Sequence, residues 1–333
     1  MRTQLNEEVR VALEGVAGRR IETVFLVACG GSLSIMHAGK YFLDRHAVSV
    51  GVDMMNADEF VCRHPRRLGA NTLVILCSQT GTTKETVCAA EFAREQGSAT
   101  VGMTMDTASP LARACDHVVR YKSHYASGAA IDSGDSNYGV LYMLLAGLLA
   151  QRGDEDLTAP LLRSLSNLQP AIERAKQYYA SRLDDYVARF HDREVVYTLA
   201  SGSNFGAAYS YAICVLMEMQ WINSQAIHAD EFFHGPFEVV DKSASFIVLL
   251  GLDETRRMEE RARDFLMRFG DPANIMVLDA KELDLDGLEE PFRAYLAPLV
   301  FFDVLWVFAY KLADLRNQPM LEGRRYMKKI TNY

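Results

Sequence analysis

Basic charge is scarce in this 333-residue chain. Lys and Arg number 35 against 43 Asp and Glu, a formal charge of −8. Such a balance leaves no bulk attraction for nucleic acid, so any phosphate must be held locally. Cysteine is sparse: the six, at 29, 62, 77, 88, 115 and 214, form no C-x-x-C pair. That argues against a disulfide framework or a zinc ribbon and fits reduced thiols in the cytoplasm. No apolar run follows a basic start, so no secretory leader is expected. No run reaches the roughly 20 residues of a bilayer span. The most apolar stretch, 295–309, contains Pro298 and Asp303 and is expected to be a helix buried in the protein or at a subunit interface. The patterns G-x-G-x-x-G, G-K-[ST] and G-x-S-x-G are also missing. Dinucleotide, nucleoside triphosphate and serine-hydrolase chemistry are therefore set aside.

What is present reads as an α/β protein. Hydrophobic residues make up 49% of the chain and charged residues 23%, enough to bury a core. Short apolar runs at 23–28, 49–54, 72–77, 99–104 and 117–121 alternate with helical patterns at 33–45, 84–96 and 110–114. A long apolar helix is predicted over 137–152. Strands alternating with helices indicate βαβ units and a parallel sheet. Residues 153–158 are polar and acidic, as a linker would be, and helical segments follow between 161 and 190. The pattern then restarts: strands at 195–200, 246–252 and 275–279, and helices at 207–220 and 254–269. Residues 24–40 and 196–212 both run strand, small-residue turn, helix. Two doubly wound parallel-sheet (flavodoxin-like) domains in tandem are expected, over residues 1–160 and 161–333. Ligands of such sheets bind beyond the carboxyl ends of the strands.

The first chemical signal is Ser78-Gln79-Thr80-Gly81-Thr82-Thr83, four hydroxyls and an amide between a buried strand and a helix start. Helix amino termini favour anions, and hydroxyls add neutral donors. One such residue could be a cap; this density exceeds capping needs and points to a phosphate monoester held without a metal. Gly31 and Ser32 sit in the companion loop after the first strand. The second signal spans His228 to Glu238, with two histidines, three carboxylates and a Gly235-Pro236 turn in eleven residues. The spacing of His228, Glu231 and His234 is not that of H-E-x-x-H, so no metal is assigned. Glu218, among Leu216, Met217, Met219 and Trp221, invites desolvation, which suits a proton shuttle; a surface carboxylate on an amphipathic helix is the plainer alternative.

These motifs resemble those of the sugar isomerase (SIS) family, with two SIS domains in tandem. Ser78–Thr83 is similar to the family's phosphosugar loop, and Glu231-Phe-Phe-His234-Gly-Pro236 to a segment of the isomerase half of glucosamine-6-phosphate synthase. The resemblance implies that Ser32, Ser78, Gln79, Thr80 and Thr83 bind the sugar phosphate. It makes Glu218 the base that moves a proton between C1 and C2, and His234 the residue that assists ring opening from a neighbouring subunit. Gly31, Glu231, Lys328 and Lys329 are further candidates. The family's Glu after the loop glycine is Thr82 here. No glutaminase segment or amino-terminal cysteine is found, so the full synthase is not expected. Met217–Trp221, Asp230–Pro236 and Arg324-Arg325-Tyr326 look more like the bacterial fructosamine-6-phosphate deglycases.

The resemblance implies cleavage of an Amadori product to glucose 6-phosphate and a free amine. It implies no cofactor, a small-molecule phosphosugar as substrate, no nucleic-acid or membrane partner, and a homodimer or larger homo-oligomer whose subunits share the site. An aldose–ketose isomerase or a glucosamine-6-phosphate deaminase-like enzyme would use the same loop and the same Glu218. A phosphosugar sensor without catalysis is the alternative of another class.

Overall fold

The computed structural model describes residues 2–123, 125, 130–327, 329 and 330. The chain divides into two compact units, Met1–Gln169 with Gly287–Phe292, and Pro170–Asp286 with Arg293–Tyr333.

In the first unit β1 (Thr23–Ala28), β2 (Gly51–Asn56), β3 (Thr72–Cys77), β4 (Ala99–Thr104) and β5 (His117–Arg120) form one sheet in the order β2-β1-β3-β4-β5. All pairings are parallel, and this is the flavodoxin-like order. Every residue of β1, β3 and β4 is buried, as expected of a parallel sheet covered on both faces. Phe25 and Val27 face one core with Phe60, Leu76 and Ala89. On the other face Gly39, in α1 (Gly30–His46), is pressed close to Leu26 and Leu141: a Cβ there would lie 2.9 Å from the Leu141 side chain. Leu141 belongs to the apolar helix Asn137–Arg152, which Ser136 caps by accepting from the Gly139 amide.

In the second unit β6 (Tyr197–Ala200), β7 (Ala226–His228), β8 (Phe246–Leu250) and β9 (Ile275–Asp279) pair in parallel in the order β7-β6-β8-β9. This repeats the first four strands of the other sheet, which bears out the internal duplication. The helix Arg256–Phe269 presents Ala262 and Leu266 to the core and forks Arg256 onto Asp279 through two 2.7 Å bonds. The helix Glu290–Arg316 is long and apolar enough for a membrane span, but 78% of its most apolar window is buried; it is a core helix.

Several elements differ from the sequence expectation. The second strand begins at Gly51, because Ser49 is held outside the sheet by its hydroxyl bond to Asp154, 2.6 Å. The helical segments between 161 and 190 are one helix, Thr158–Phe190, with Pro170 inside it. β7 and the helices Glu7–Ala17 and Ala57–Arg63 were not anticipated; β7 has three residues, too few to show a period. The helix expected over 207–220 is an α segment, Phe205–Ser210, followed by a π segment, Tyr211–Met217.

Candidate active site

The first unit places its polar loops at the switch point between β1 and β3, where ligands of open α/β sheets bind. Ala28 and Cys77 are register partners, so the loops that follow them start side by side. Ser32 lies in the first turn of α1, beside the buried Cys77 thiol and Tyr121 hydroxyl. Burial pushes the Cys77 thiol up to about 11, so it is a neutral packing group. The Ser78–Thr83 loop is fastened from both sides: Met105 N–H donates to the Gln79 carbonyl and Leu111 N–H to the Gly81 carbonyl, each at 3.0 Å. Gly81 has φ +65°, and a Cβ there would come within 2.0 Å of Ser109 Oγ. Only glycine meets both demands.

The loop's hydroxyls do not cap the helix that follows. Thr83 occupies the N-cap position of Lys84–Glu95 but makes no capping bond. It pairs instead with Ser78 at 2.9 Å, as Thr80 does with Thr82 at 2.7 Å. A helix start without a side-chain acceptor, ringed by hydroxyls, offers several donors to an anion.

The equivalent place in the second unit is filled by the chain itself. After β6, Ser201 donates to Glu259 from its amide at 2.9 Å and from its hydroxyl at 3.0 Å. Ser203 likewise gives its amide and hydroxyl to Asp253 at 2.9 and 2.7 Å. After β8, Gly251 N–H donates to Glu259 and Thr255 to Asp253. Two carboxylates thus take the donors that stay open in the first unit. Burial pushes Glu259 up to about 7, against the opposing pull of its amide partners.

Glu218 closes the π segment. Five-residue spacings run from Glu218 N–H to the Ile213 carbonyl, 3.1 Å, and from Gln220 N–H to the Val215 carbonyl, 3.0 Å. Such turns shift the side chains beyond them and recur at functional sites. Trp221 then ends the helix with φ +57°, rare for a bulky residue. The carboxyl-terminal tail is fastened to this end. Gln318 donates to the Met219 carbonyl, Gln220 donates to the Gln318 carbonyl, and Arg324 Nη1 donates to Glu218 Oε1, each at 3.1 Å. Glu218 is thus largely buried, and it is ion-paired rather than surrounded by apolar groups alone. A cavity of about 390 Å³ opens beside it, lined by Met217, Trp221, Arg324 and Arg325 among others.

His234 ends a 3-10 turn, Glu231–His234, on which both Glu231 and His234 are exposed. Phe232 anchors that turn against Phe246 and Phe265, and Gly235, at φ +138°, reverses the chain. Among the described residues no three His, Cys, Asp or Glu side chains group as a metal site. Lys329 is exposed and donates to the Glu322 carbonyl; Lys328 lies outside the described residues. Sequence reasoning missed Arg324 as the partner of Glu218. It carried Arg324 only as part of a motif, because nothing local links residues 106 positions apart.

The SIS domain matches residues 19–147. Fructosamine deglycase FrlB of Bacillus subtilis is 45% identical over 98% of both chains. Fructoselysine 6-phosphate deglycase of Escherichia coli O157:H7 is 27% identical over 98% of this chain and 91% of its own. A crystal structure from Bacillus subtilis superposes with a TM-score of 0.93 at 44% identity, covering 98% of each chain. Another, from Salmonella typhimurium, gives 0.92 at 34%, covering 100% of this chain and 99% of its own. On this whole-length likeness, the chain belongs to the SIS-domain family, in the branch of the fructosamine deglycases.

Proposed function

We propose that this protein is a fructosamine-6-phosphate deglycase. The substrate is a 1-amino-1-deoxy ketose 6-phosphate, and the products are glucose 6-phosphate and the free amine. The observation that carries the reading is the 45% identity to fructosamine deglycase FrlB along the whole chain.

In this reading the phosphate takes donors from Ser32, Ser78, Gln79, Thr80 and Thr83. That fixed, non-reacting end of the substrate supplies the binding energy that orients C1. His234 assists ring opening. Glu218 removes a proton from C1, the electron pair forms the C1–C2 double bond, and the C2 oxygen gains a proton, giving an enaminol. Return of a proton to C2 leaves a C1 imine. Water adds across the C1–N double bond, its oxygen to C1 and one proton to nitrogen; the C1–N bond then breaks as the new hydroxyl passes its proton to the leaving amine, giving the aldehyde of glucose 6-phosphate. Positioned proton transfer of this kind contributes on the order of 10²–10⁴-fold. Arg324 holds the Glu218 carboxylate in place. Lys328 and Lys329 are assigned no step.

The exposed His234 turn is suited to serving a neighbour's site, so we infer a homodimer or larger homo-oligomer in which subunits share residues. Cys29, Cys62, Cys77, Cys88 and Cys115 are free thiols, which supports a reducing, cytoplasmic setting.

The test is a coupled assay for glucose 6-phosphate on 6-phosphorylated fructosyl amino acids, with fructose 6-phosphate plus or minus ammonia as controls. Stoichiometric release of amine and glucose 6-phosphate is expected. Turnover of fructose 6-phosphate alone would move the protein to the isomerases or deaminases. Binding without any turnover would make it a sensor.

A further inference from the structure

The cavity beside Glu218 holds a second guanidinium that the reaction above does not use. Arg325 sits over the Trp221 ring, its Cζ 3.7 Å from the ring centre. Arg324, next to it, is committed to Glu218 and to the Leu321 carbonyl. Arg325 has no carboxylate within ion-pair distance among the described residues. Glu218, Arg324 and Arg325 together leave this wall of the cavity with one uncompensated positive charge. The shelf itself is held under strain: Trp221 keeps φ +57° and leaves its side chain exposed. Bulky residues seldom adopt that region, and such strain clusters at ligand-binding positions.

We propose that the Trp221–Arg325 shelf binds a carboxylate carried by the amine half of the substrate. The inference rests on the deglycase reading. If Glu218 works at C1, the nitrogen bonded to C1 and whatever it carries must lie beside Glu218, and the cavity there is the one Arg325 lines. At 3.7 Å an edge-on guanidinium would drive an N–H into the ring, so Arg325 stacks by its face and keeps its edge N–H groups free, the arrangement that takes a carboxylate through two parallel bonds. Met217, Ile222 and Met327 give the same cavity apolar walls for an amino-acid stem. An amine without a carboxylate leaves the shelf empty. The carboxylate has two sources: next to the nitrogen in a sugar attached through an α-amino group, or at the far end of the side chain in one attached through the lysine ε-amino group.

The experiment compares wild type, Arg325→Gln and Arg325→Lys on three 6-phosphofructosyl substrates: glycine, ε-linked lysine, and methylamine, which has no carboxylate. Wild type is expected to favour at least one carboxylated substrate over methylamine by about 10- to 100-fold in kcat/KM, the size of a charged hydrogen-bond pair. In Arg325→Gln that ratio collapses towards one, through KM rather than kcat. Arg325→Lys, which keeps the charge but not the fork, falls between. Whichever of glycine and lysine carries the effect names the source. A wild-type ratio near one, or a ratio unchanged in Arg325→Gln, overturns the proposal while leaving the deglycase reading standing. No turnover of any of the three by wild type overturns both. Unaltered binding of glucose 6-phosphate by calorimetry shows that the variants are folded.

Discussion

Arg324 reaches back 106 residues to hydrogen-bond Glu218 at 3.1 Å, tying the tail to the carboxylate at the end of the π segment. Both side chains are largely buried, so the pair orients Glu218 as well as neutralising it. Glu218→Gln keeps an oxygen for Arg324 to bond and removes only the proton acceptor. We expect turnover to fall by at least about 10³-fold while glucose 6-phosphate still binds, measured by single-turnover kinetics and calorimetry. Wild-type-like kcat in this variant would remove Glu218 from the mechanism.

The phosphate loop makes a separate prediction. Ser78→Ala or Thr80→Ala deletes one donor to a charged group, worth roughly 1.5–3 kcal/mol, so the Kd for glucose 6-phosphate should rise about 10- to 100-fold. Gly81→Ala should do more. Its Cβ meets Ser109 Oγ, which accepts from the Ala112 amide, so Ser109 cannot easily move aside. Loss of binding together with a lowered Tm is expected; unchanged affinity in all three variants would place the phosphate elsewhere.

If subunits share the site, two inactive variants should complement. Glu218→Gln mixed with His234→Asn, unfolded and refolded together, gives hybrids with one intact site per dimer. About a quarter of wild-type activity should return in a statistical mixture of dimers. No recovery, with hybrids demonstrated by mass spectrometry, would mean that each chain completes its own site.

Glu259 should leave a signature in stability against pH. Its folded value is about 7 against 4.5 for a free glutamate, so between those values the folded state holds a proton that the unfolded state has released. Stability therefore falls as pH rises from about 4.5 to 7 and levels off above, by about 3 kcal/mol from this group. Denaturant titrations of wild type and Glu259→Gln across that window should differ in slope in this sense. Identical slopes would show that Glu259 titrates normally.

Much of the fold was legible because burial is written locally. The runs at 23–28, 72–77, 99–104 and 275–279 match the strands residue for residue. Each is an apolar run closed by polar or small residues, as a strand buried in a parallel sheet requires. The hydroxyl-rich Ser78–Thr83 loop was equally visible, since its excess over capping needs is a matter of composition.

Other features depended on segments meeting. A continuous α-helix over 207–220 was the natural reading of the periodicity. The π segment that replaces it turns Glu218 and Trp221 towards the returning tail, and a period of 3.6 residues carries no sign of that. The second unit's self-filled switch point needed Asp253 and Glu259 to be seen against the amides of Ser201, Ser203 and Gly251. The sequence by itself determined the alternating elements, the duplicated sheets and the residue types at the strand ends, because these follow from hydrophobic pattern and turn chemistry. Only the tertiary structure decided which charges pair, which helix start keeps its donors uncapped and which arginine is left without a carboxylate partner among the described residues. Those outcomes depend on distances between residues far apart in the chain.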